Sequence, residues 1–146
     1  MSVVTQIQPA LTLVDDDFHS ARLLSKMIEA HSGPVPEVIA SPAEAEERLA
    51  GLAATLPANA RHLVIVDLKA SSGATRDFVA RLHAVAPQLE IIAMSPTLDR
   101  EIRNGLLLAG ATAVFERHAD INLYRREAAS IVSFWVRTQH LDAVGT

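Results

Sequence analysis

Five short apolar runs alternate with amphipathic stretches along this chain of 146 residues, and this alternation constrains the fold more than any other feature. The runs have the length of buried strands, and the stretches between them repeat apolar residues at helical spacing. Strict alternation of strand and helix is typical of βαβ units, whose right-handed crossovers place helices on both faces of one parallel sheet. The sequence therefore predicts an α/β domain with a doubly wound, five-stranded parallel sheet.

The boundaries of these elements follow from capping and breaking signals. The predicted strands cover residues 11–14, 35–40, 62–66, 89–94 and 111–115. A helix follows each strand, the first over about 18–30, the fourth over about 98–109 and the last over about 120–139. Ser41, Pro42 and Glu44 predict the start of the second helix, because serine caps, proline suits the first turn and glutamate completes a capping box. Gly110 has the position of a helix C-cap, so it needs no functional explanation.

An acidic triplet, Asp15-Asp16-Asp17, directly follows the first strand. Three adjacent carboxylates repel one another, so at least one resists ionisation unless a cation lies among them. Carboxylates, waters and phosphate oxygens are the ligands that Mg²⁺ prefers. The triplet therefore predicts a divalent-metal site at the carboxyl end of the first strand.

Reactive or charged side chains also follow three other strands: Asp67, Ser95 and Arg117. The carboxyl ends of parallel strands meet at one edge of a sheet, where ligands of such folds bind. A carboxylate such as Asp67 can act as a nucleophile and form an aspartyl phosphate. Ser95 could donate its hydroxyl to a phosphoryl oxygen, and Arg117 could supply balancing charge. Because phosphoryl transfer needs mainly positioning and charge neutralisation, the set is suited to that chemistry.

In their order and spacing these residues resemble the receiver domain of two-component response regulators. The residues that carry the resemblance are Val14-Asp15-Asp16-Asp17, Val64-Ile65-Val66-Asp67-Leu68, Ile92-Ala93-Met94-Ser95, Ala109-Gly110-Ala111 and Val114-Phe115-Glu116-Arg117. The resemblance implies a flavodoxin-like sheet with strand order 2-1-3-4-5. It divides the chain into an N-terminal tail (1–10), a receiver domain with an extended last helix (11–139) and a C-terminal tail (140–146).

The resemblance also implies a role for each residue of the site. Asp67 would be the phosphoacceptor, and Asp15 and Asp16 would hold Mg²⁺ together with Asp67 and the backbone carbonyl of Lys69. Ser95 would be the hydroxyl that turns toward the phosphoryl group, and Arg117 stands where the family carries a lysine.

The implied partners are a histidine kinase or phosphotransfer protein, which would supply the phosphoryl group, and a downstream protein target. After the receiver pattern the chain has too few residues for a DNA-binding or enzymatic output domain. The expected function is therefore that of a stand-alone receiver. It would be a self-catalysed phosphoacceptor, not a turnover enzyme.

The chain departs from the family pattern at four positions. Arg117 replaces the lysine with a planar, forked side chain, and His118 replaces a proline that forms a cis peptide. Pro96 lacks the backbone N–H that would bind the phosphoryl group. Val114 occupies an aromatic position, while Phe115 should point to the other face of its strand.

Together with Lys69, the changes at Pro96 and Arg117 support an alternative. This alternative is a phosphorylation-independent receiver that acts as an interaction or dimerisation module with a relict acidic pocket. A third possibility is a small phosphatase of the haloacid dehalogenase type, with its nucleophile in the first acidic cluster. That chemistry leaves Asp67 unexplained.

The last helix becomes more apolar toward its end, where Phe134 and Trp135 lie. These side chains could fold onto their own domain, or they could join a homodimer or partner surface, because aromatic residues are favoured in interface cores.

Composition excludes several classes of function. No apolar run approaches the ~20 residues of a membrane span, and a net charge of −4 with scattered basic residues argues against nucleic-acid binding. The chain has no cysteine, which excludes disulfides and thiolate metal sites. Since no secretory signal is visible either, we expect a cytoplasmic protein.

Overall fold

In a computed structural model of the protein, five parallel strands form one sheet in the order β2-β1-β3-β4-β5, which confirms the predicted topology. The structure describes residues 11–57, 60–97 and 99–144, with side chains as far as residue 139. The strands are β1 (Leu11–Asp15), β2 (Glu37–Ile39), β3 (Leu63–Asp67), β4 (Glu90–Ser95) and β5 (Ala113–Glu116). β2 is shorter than predicted and forms an edge, consistent with the proline that precedes it.

Five helices connect and follow these strands: α1 (Phe18–Ala30), α2 (Pro42–Thr55), α3 (Ala74–Val85), α4 (Arg100–Ala109) and α5 (Ile121–Val144). The predicted start of the fourth helix at residue 98 and the N-terminal tail (1–10) lie outside the described residues. α5 continues to Val144, so the segment predicted as a C-terminal tail begins as helix. No described helix is both long and apolar enough to cross a membrane.

Apolar side chains pack on both faces of the sheet, as expected for a doubly wound fold. Val14, Val66 and Ala93 contribute to a core that includes buried residues of α2, α3 and α4. Leu13, Ile65 and Met94 contribute to a second core, closed by α1 and α5. Because the strands are covered on both sides, only their ends are available for a binding site.

The caps predicted at Ser41 and Gly110 are present in the structure, and Asp17 of the acidic triplet forms a third. The Asp17 side chain accepts a hydrogen bond from the Ser20 backbone N–H at 3.0 Å and so caps α1. Ser41 caps α2 by accepting from the backbone N–H of Glu44 at 3.2 Å. Gly110 ends α4 with φ = 125°, and a Cβ there would lie 2.4 Å from the His83 ring. Only glycine suits this position, both for its backbone conformation and for its close approach to a neighbour.

The aromatic residues of β5 and α5 pack within the domain. Val114 contacts the core on the α2–α4 side, whereas Phe115 contacts the core on the α1–α5 side, as the strand alternation predicts. The Phe115 and Phe134 rings meet edge-on with centroids 6.5 Å apart. Trp135 is partly buried against the same core. Both aromatic residues of the late α5 segment therefore contact their own domain.

Candidate functional site

The strand register brings the predicted site residues to one edge of the sheet. Asp15 pairs with Asp67 across β1 and β3, and both residues end their strands. Ser95 ends β4, and its carbonyl accepts a hydrogen bond from the Arg117 backbone N–H at 2.7 Å. The four residues therefore surround the carboxyl ends of β1, β3, β4 and β5, as predicted.

Asp67 lies between two cationic side chains. Its carboxylate is fully buried, with a side-chain exposure of 0 %. The Oδ1 atom accepts a hydrogen bond from Nη1 of Arg117. The Oδ2 atom lies 3.1 Å from the ammonium nitrogen of Lys69. Arg117 therefore provides the positive charge expected at this position, and Lys69 provides a second one.

Asp15 faces the same ammonium group. Its Oδ1 atom accepts from Nζ of Lys69 at 2.7 Å and from the Asp17 backbone N–H at 2.9 Å. Its Oδ2 atom is buried and has no hydrogen-bond partner among the described residues. Burial raises the pKa of the Asp15 carboxyl, and the hydrogen bond from Lys69 opposes that rise. The Lys69 ammonium therefore stabilises the ionised form of Asp15.

Asp16 points toward the loop that follows β3. Its two carboxylate oxygens accept hydrogen bonds from the backbone N–H groups of Lys69 at 2.9 Å and Ala70 at 3.0 Å. Both oxygens are thus used to fix the loop. Asp15 and Asp16, predicted as a pair of metal ligands, have different partners in this arrangement.

The carboxylates do not fit a metal ion in the described arrangement. The Lys69 ammonium lies between Asp15 and Asp67 and occupies the space between these two predicted metal ligands. Within the three described segments, no group of three carboxylate or imidazole side chains is placed to hold a metal. Mg²⁺ binding by Asp15, Asp16, Asp67 and the Lys69 carbonyl stays a prediction, and it requires the ammonium to move.

Ser95 directs its hydroxyl at its own loop. The Oγ atom donates to the carbonyl of Thr97 at 2.6 Å, and the Thr97 N–H lies 3.4 Å from Oγ. The intervening Pro96 has no N–H to offer to an anion. A phosphoryl group on Asp67 could therefore gain the Ser95 hydroxyl only if that hydroxyl leaves Thr97.

His118 lies beside the site and between two carboxylates. Its Nδ1 atom is 3.3 Å from Glu116 Oε2, and its Nε2 atom is 3.7 Å from Glu127 Oε1. The described backbone contains no cis peptide bond, consistent with the loss of the proline at His118. Tyr124 is buried nearby, and burial, aided by the charge of Asp67, raises the pKa of its phenol.

A cleft leads from these residues to the protein surface. Its lining includes Lys69, Ser95 and Arg117, together with Arg76 of α3 and Ile102 of α4. The cleft gives a route by which a group on another protein could approach the carboxyl edge of the sheet.

The Lys69 side chain is the site residue that motif matching does not identify, because the pattern assigns a role only to its backbone carbonyl. Charge counting gives a usable signal. Asp15, Asp16 and Asp67 bring three negative charges to one edge, and Arg117 supplies one positive charge. Lys69, two residues after the strand-ending Asp67, is close enough to offset part of this excess negative charge.

Comparison with solved structures places the fold among known ones. A response regulator receiver domain from Rhodospirillum rubrum superposes with a TM-score of 0.70 at 16 % identity, covering 87 % of this chain and 93 % of that one. A protein described as the pilus assembly protein CpaE, from Burkholderia thailandensis, gives 0.67 at 15 % identity, with 87 % and 97 % covered. The CheY-like protein TadZ from Pseudomonas aeruginosa gives 0.59 at 19 % identity, with 88 % and 91 % covered.

No family model matches the sequence, and no curated protein matches it either. The structural likeness confirms that the chain has the CheY-like fold of response regulator receiver domains.

Proposed function

We propose that this receiver-fold chain is a module of two-component signalling in which Asp67 accepts a phosphoryl group and protein contacts pass the signal on. One observation carries the proposal: the buried Asp67 carboxylate lies at the carboxyl edge of the sheet between the cations of Lys69 and Arg117. Two positive charges around one carboxylate supply the charge neutralisation that phosphoryl transfer requires.

The chemical step follows from this geometry. An Asp67 carboxylate oxygen would form a P–O bond to the phosphorus of a phosphohistidine on the donor as the P–N bond breaks. The donor imidazole would leave with the bonding electrons and take up a proton. Arg117 and Lys69 would stabilise the negative charge on the phosphoryl oxygens. The product is an acyl phosphate on Asp67, so the chain is consumed as an acceptor and is not a turnover enzyme.

The Ser95 loop is suited to report that event. In the structure the Ser95 hydroxyl donates to Thr97, and α4 begins at Arg100 shortly after this loop. A phosphoryl oxygen would compete with the Thr97 carbonyl for the Ser95 proton. Binding of that hydroxyl would bias the loop between two positions and alter the surface formed by α4 and β5.

The proposal includes the classes of partner predicted from the sequence. The donor would be a histidine kinase or a phosphotransfer protein, approaching through the cleft beside Arg76 and Ile102. The receiver of the signal would be a downstream protein target. The proposal includes a cytoplasmic location. The chain has no cysteine, and disulfides are typical of proteins in oxidising compartments.

A second candidate is the phosphorylation-independent interaction module. The specific observation in its favour is that Asp67 has no exposed side-chain surface, so Lys69 or Arg117 must move before a donor can reach it. Pro96 also removes one anion contact. Two proteins with similar folds are described in connection with pilus assembly. Proteins with this fold are thus not all described as response regulators.

The phosphatase alternative has less support. An Asp-x-Asp site of that type would need Asp15 and Asp17 together. Asp17 is an exposed helix cap bonded to Ser20, and that hydrogen bond lowers the pKa of the Asp17 carboxyl.

Incubation with acetyl phosphate or phosphoramidate, followed by intact-mass measurement, tests the proposal. We expect wild type to gain one phosphoryl group and Asp67→Asn to gain none. Asp77→Asn, which changes an exposed aspartate of α3, is the matched control and should behave as wild type. No adduct on a folded wild-type protein would support the interaction module instead.

A further inference from the structure

The Lys69 ammonium is surrounded by oxygen atoms. It donates to Asp15 Oδ1 at 2.7 Å and to the Asp67 carbonyl at 3.0 Å, and it lies 3.1 Å from Asp67 Oδ2. A lysine ammonium has three N–H donors. Two of them make these hydrogen bonds, and Asp67 Oδ2, which has no hydrogen-bond partner among the described residues, is in ion-pair contact with the ammonium. From this coordination we propose that Lys69 is an internal cation that takes the place of a divalent metal between Asp15 and Asp67.

The backbone around Lys69 is anchored on both sides. Asp16 accepts from the N–H groups of Lys69 and Ala70. The Thr75 hydroxyl accepts from the Leu68 N–H at 3.0 Å and lies 3.2 Å from the Leu68 carbonyl. These contacts fix the chain where the Lys69 side chain leaves it. The backbone position of Lys69 is therefore fixed by hydrogen bonds, which keeps its ammonium group close to the two carboxylates.

Charge balance favours the lysine over a metal. The two fully buried carboxylates, Asp15 and Asp67, carry two negative charges, and Lys69 and Arg117 carry two positive ones. A divalent ion added to this set would leave two positive charges uncompensated, or one when Asp16, which is hydrogen-bonded to the loop amides, is also counted. Like charges held about 4 Å apart in a poorly solvated site repel strongly. Ammonium and metal therefore exclude each other, and the ammonium has the advantage of being tethered.

This inference goes beyond the proposed function, since it concerns the cation of the pocket whether or not Asp67 is phosphorylated. It predicts that divalent metal competes with Lys69 for one position. Lys69→Gln removes the charge while keeping a polar side chain. Lys26→Gln is the matched control, because Lys26 is the chain's other lysine and is exposed on α1.

Calorimetric titration of Mg²⁺ into the unphosphorylated full chain measures the competition, and thermal unfolding with Mg²⁺ or with a chelator gives a second readout. We expect Lys69→Gln to bind Mg²⁺ at least ~10-fold more tightly than wild type, which corresponds to ~1.4 kcal/mol. Its Tm should rise with Mg²⁺, whereas the Tm of wild type and of Lys26→Gln should not change.

Equal Mg²⁺ affinity in wild type and Lys69→Gln would overturn the proposal, since the ammonium would then offer no competition. No Mg²⁺ binding by folded Lys69→Gln would also overturn it, because the position would not be a cation site. If Lys69→Gln unfolds in chelator, refolding on addition of Mg²⁺ supports the proposal and failure to refold overturns it. Lys69→Arg, which keeps the charge, should fold and exclude Mg²⁺ as wild type does.

Discussion

Asp15 and Asp67 are directly paired in the register of the two central strands, so two fully buried carboxylates end side by side at the same edge of the sheet. Such a pair is costly unless cations neutralise it. Lys69 contacts both residues, and Arg117 contacts Asp67. Phosphorylation of Asp67 and metal binding in this pocket therefore both depend on the positions of the Lys69 and Arg117 side chains.

Arg117 should contribute to stability through its hydrogen bond to Asp67. Arg117→Ala leaves a buried carboxylate oxygen without its charged donor, so we expect the free energy of unfolding to fall by about 1–3 kcal/mol. Arg117→Lys should recover part of this loss. Arg103→Ala, an exposed change on α4, is the control and should stay within about 0.5 kcal/mol of wild type. Urea unfolding measures all three, and equal losses in Arg117→Ala and Arg103→Ala would contradict the expected role.

His62 should make stability depend on pH. The ring is buried, with Nε2 2.8 Å from the Thr12 hydroxyl, and burial lowers its pKa below 6.5 while Glu37 opposes this shift. The unfolded chain therefore binds more protons than the native one as pH falls below 6.5. Stability is fully present above that value and is lost as pH falls toward the folded pKa.

Urea unfolding of wild type and His62→Gln between about pH 7.5 and about pH 5 checks this expectation. Wild type should lose more stability across that range than the variant, which has no imidazole to protonate. The raised pKa of Asp15 acts in the opposite sense, because its contribution is lost as pH rises above 3.8 through its folded value. Asp15 is common to both proteins, so the difference isolates His62. Parallel curves would contradict the assignment.

The two glycines Gly110 and Gly51 should respond in opposite ways to alanine. Gly110→Ala places a side chain at φ = 125° and against His83, so we expect a loss of about 1–3 kcal/mol in the free energy of unfolding. Gly51 lies within α2 with nothing within 4 Å of a Cβ, so Gly51→Ala should stabilise by about 0.5–1 kcal/mol. Thermal unfolding checks both signs. A neutral Gly110→Ala would contradict the C-cap geometry.

Trp135 should behave as part of its own domain. Because it packs partly against the α1–α5 core, Trp135→Ala should lower the free energy of unfolding by about 2–3 kcal/mol, and light scattering should give a monomer for both proteins. Val136→Ala, at a more exposed neighbour, is the control. A wild-type dimer that Trp135→Ala converts to a folded monomer would instead establish the homodimer through the last helix.

The sequence predicts the sheet well because each strand ends at a distinctive residue. The alternation of apolar runs with amphipathic stretches predicts β1 and β3. Their ends, and that of β4, are indicated by Asp15, Asp67 and Ser95. The edge strand β2 and the end of α5 are less well predicted. Short edge strands bury few side chains, and the periodicity of α5 has no breaker after Gln139 before the chain leaves the described residues.

The contacts within the site are harder to predict than its location. The positions of Asp67 and Arg117 follow from the strand ends, whereas the direction of a side chain depends on its partners in space. Asp16 turns to the amides of Lys69 and Ala70, and the Lys69 side chain then fills the space between Asp15 and Asp67. A sequence motif assigns a role to each position separately. It does not include the net charge of the assembled site, which determines where the Lys69 side chain lies.

The most direct test of the pocket is the rate at which acetyl phosphate or phosphoramidate phosphorylates Asp67, with Mg²⁺ and with chelator in its place. With Lys69 as the internal cation, intact-mass time courses of wild type should show incorporation in both conditions at rates within about tenfold of each other, whereas Lys69→Gln should need Mg²⁺. Incorporation by wild type only when Mg²⁺ is present, or none in either condition, would contradict an Asp67 phosphoacceptor neutralised by Lys69 and Arg117.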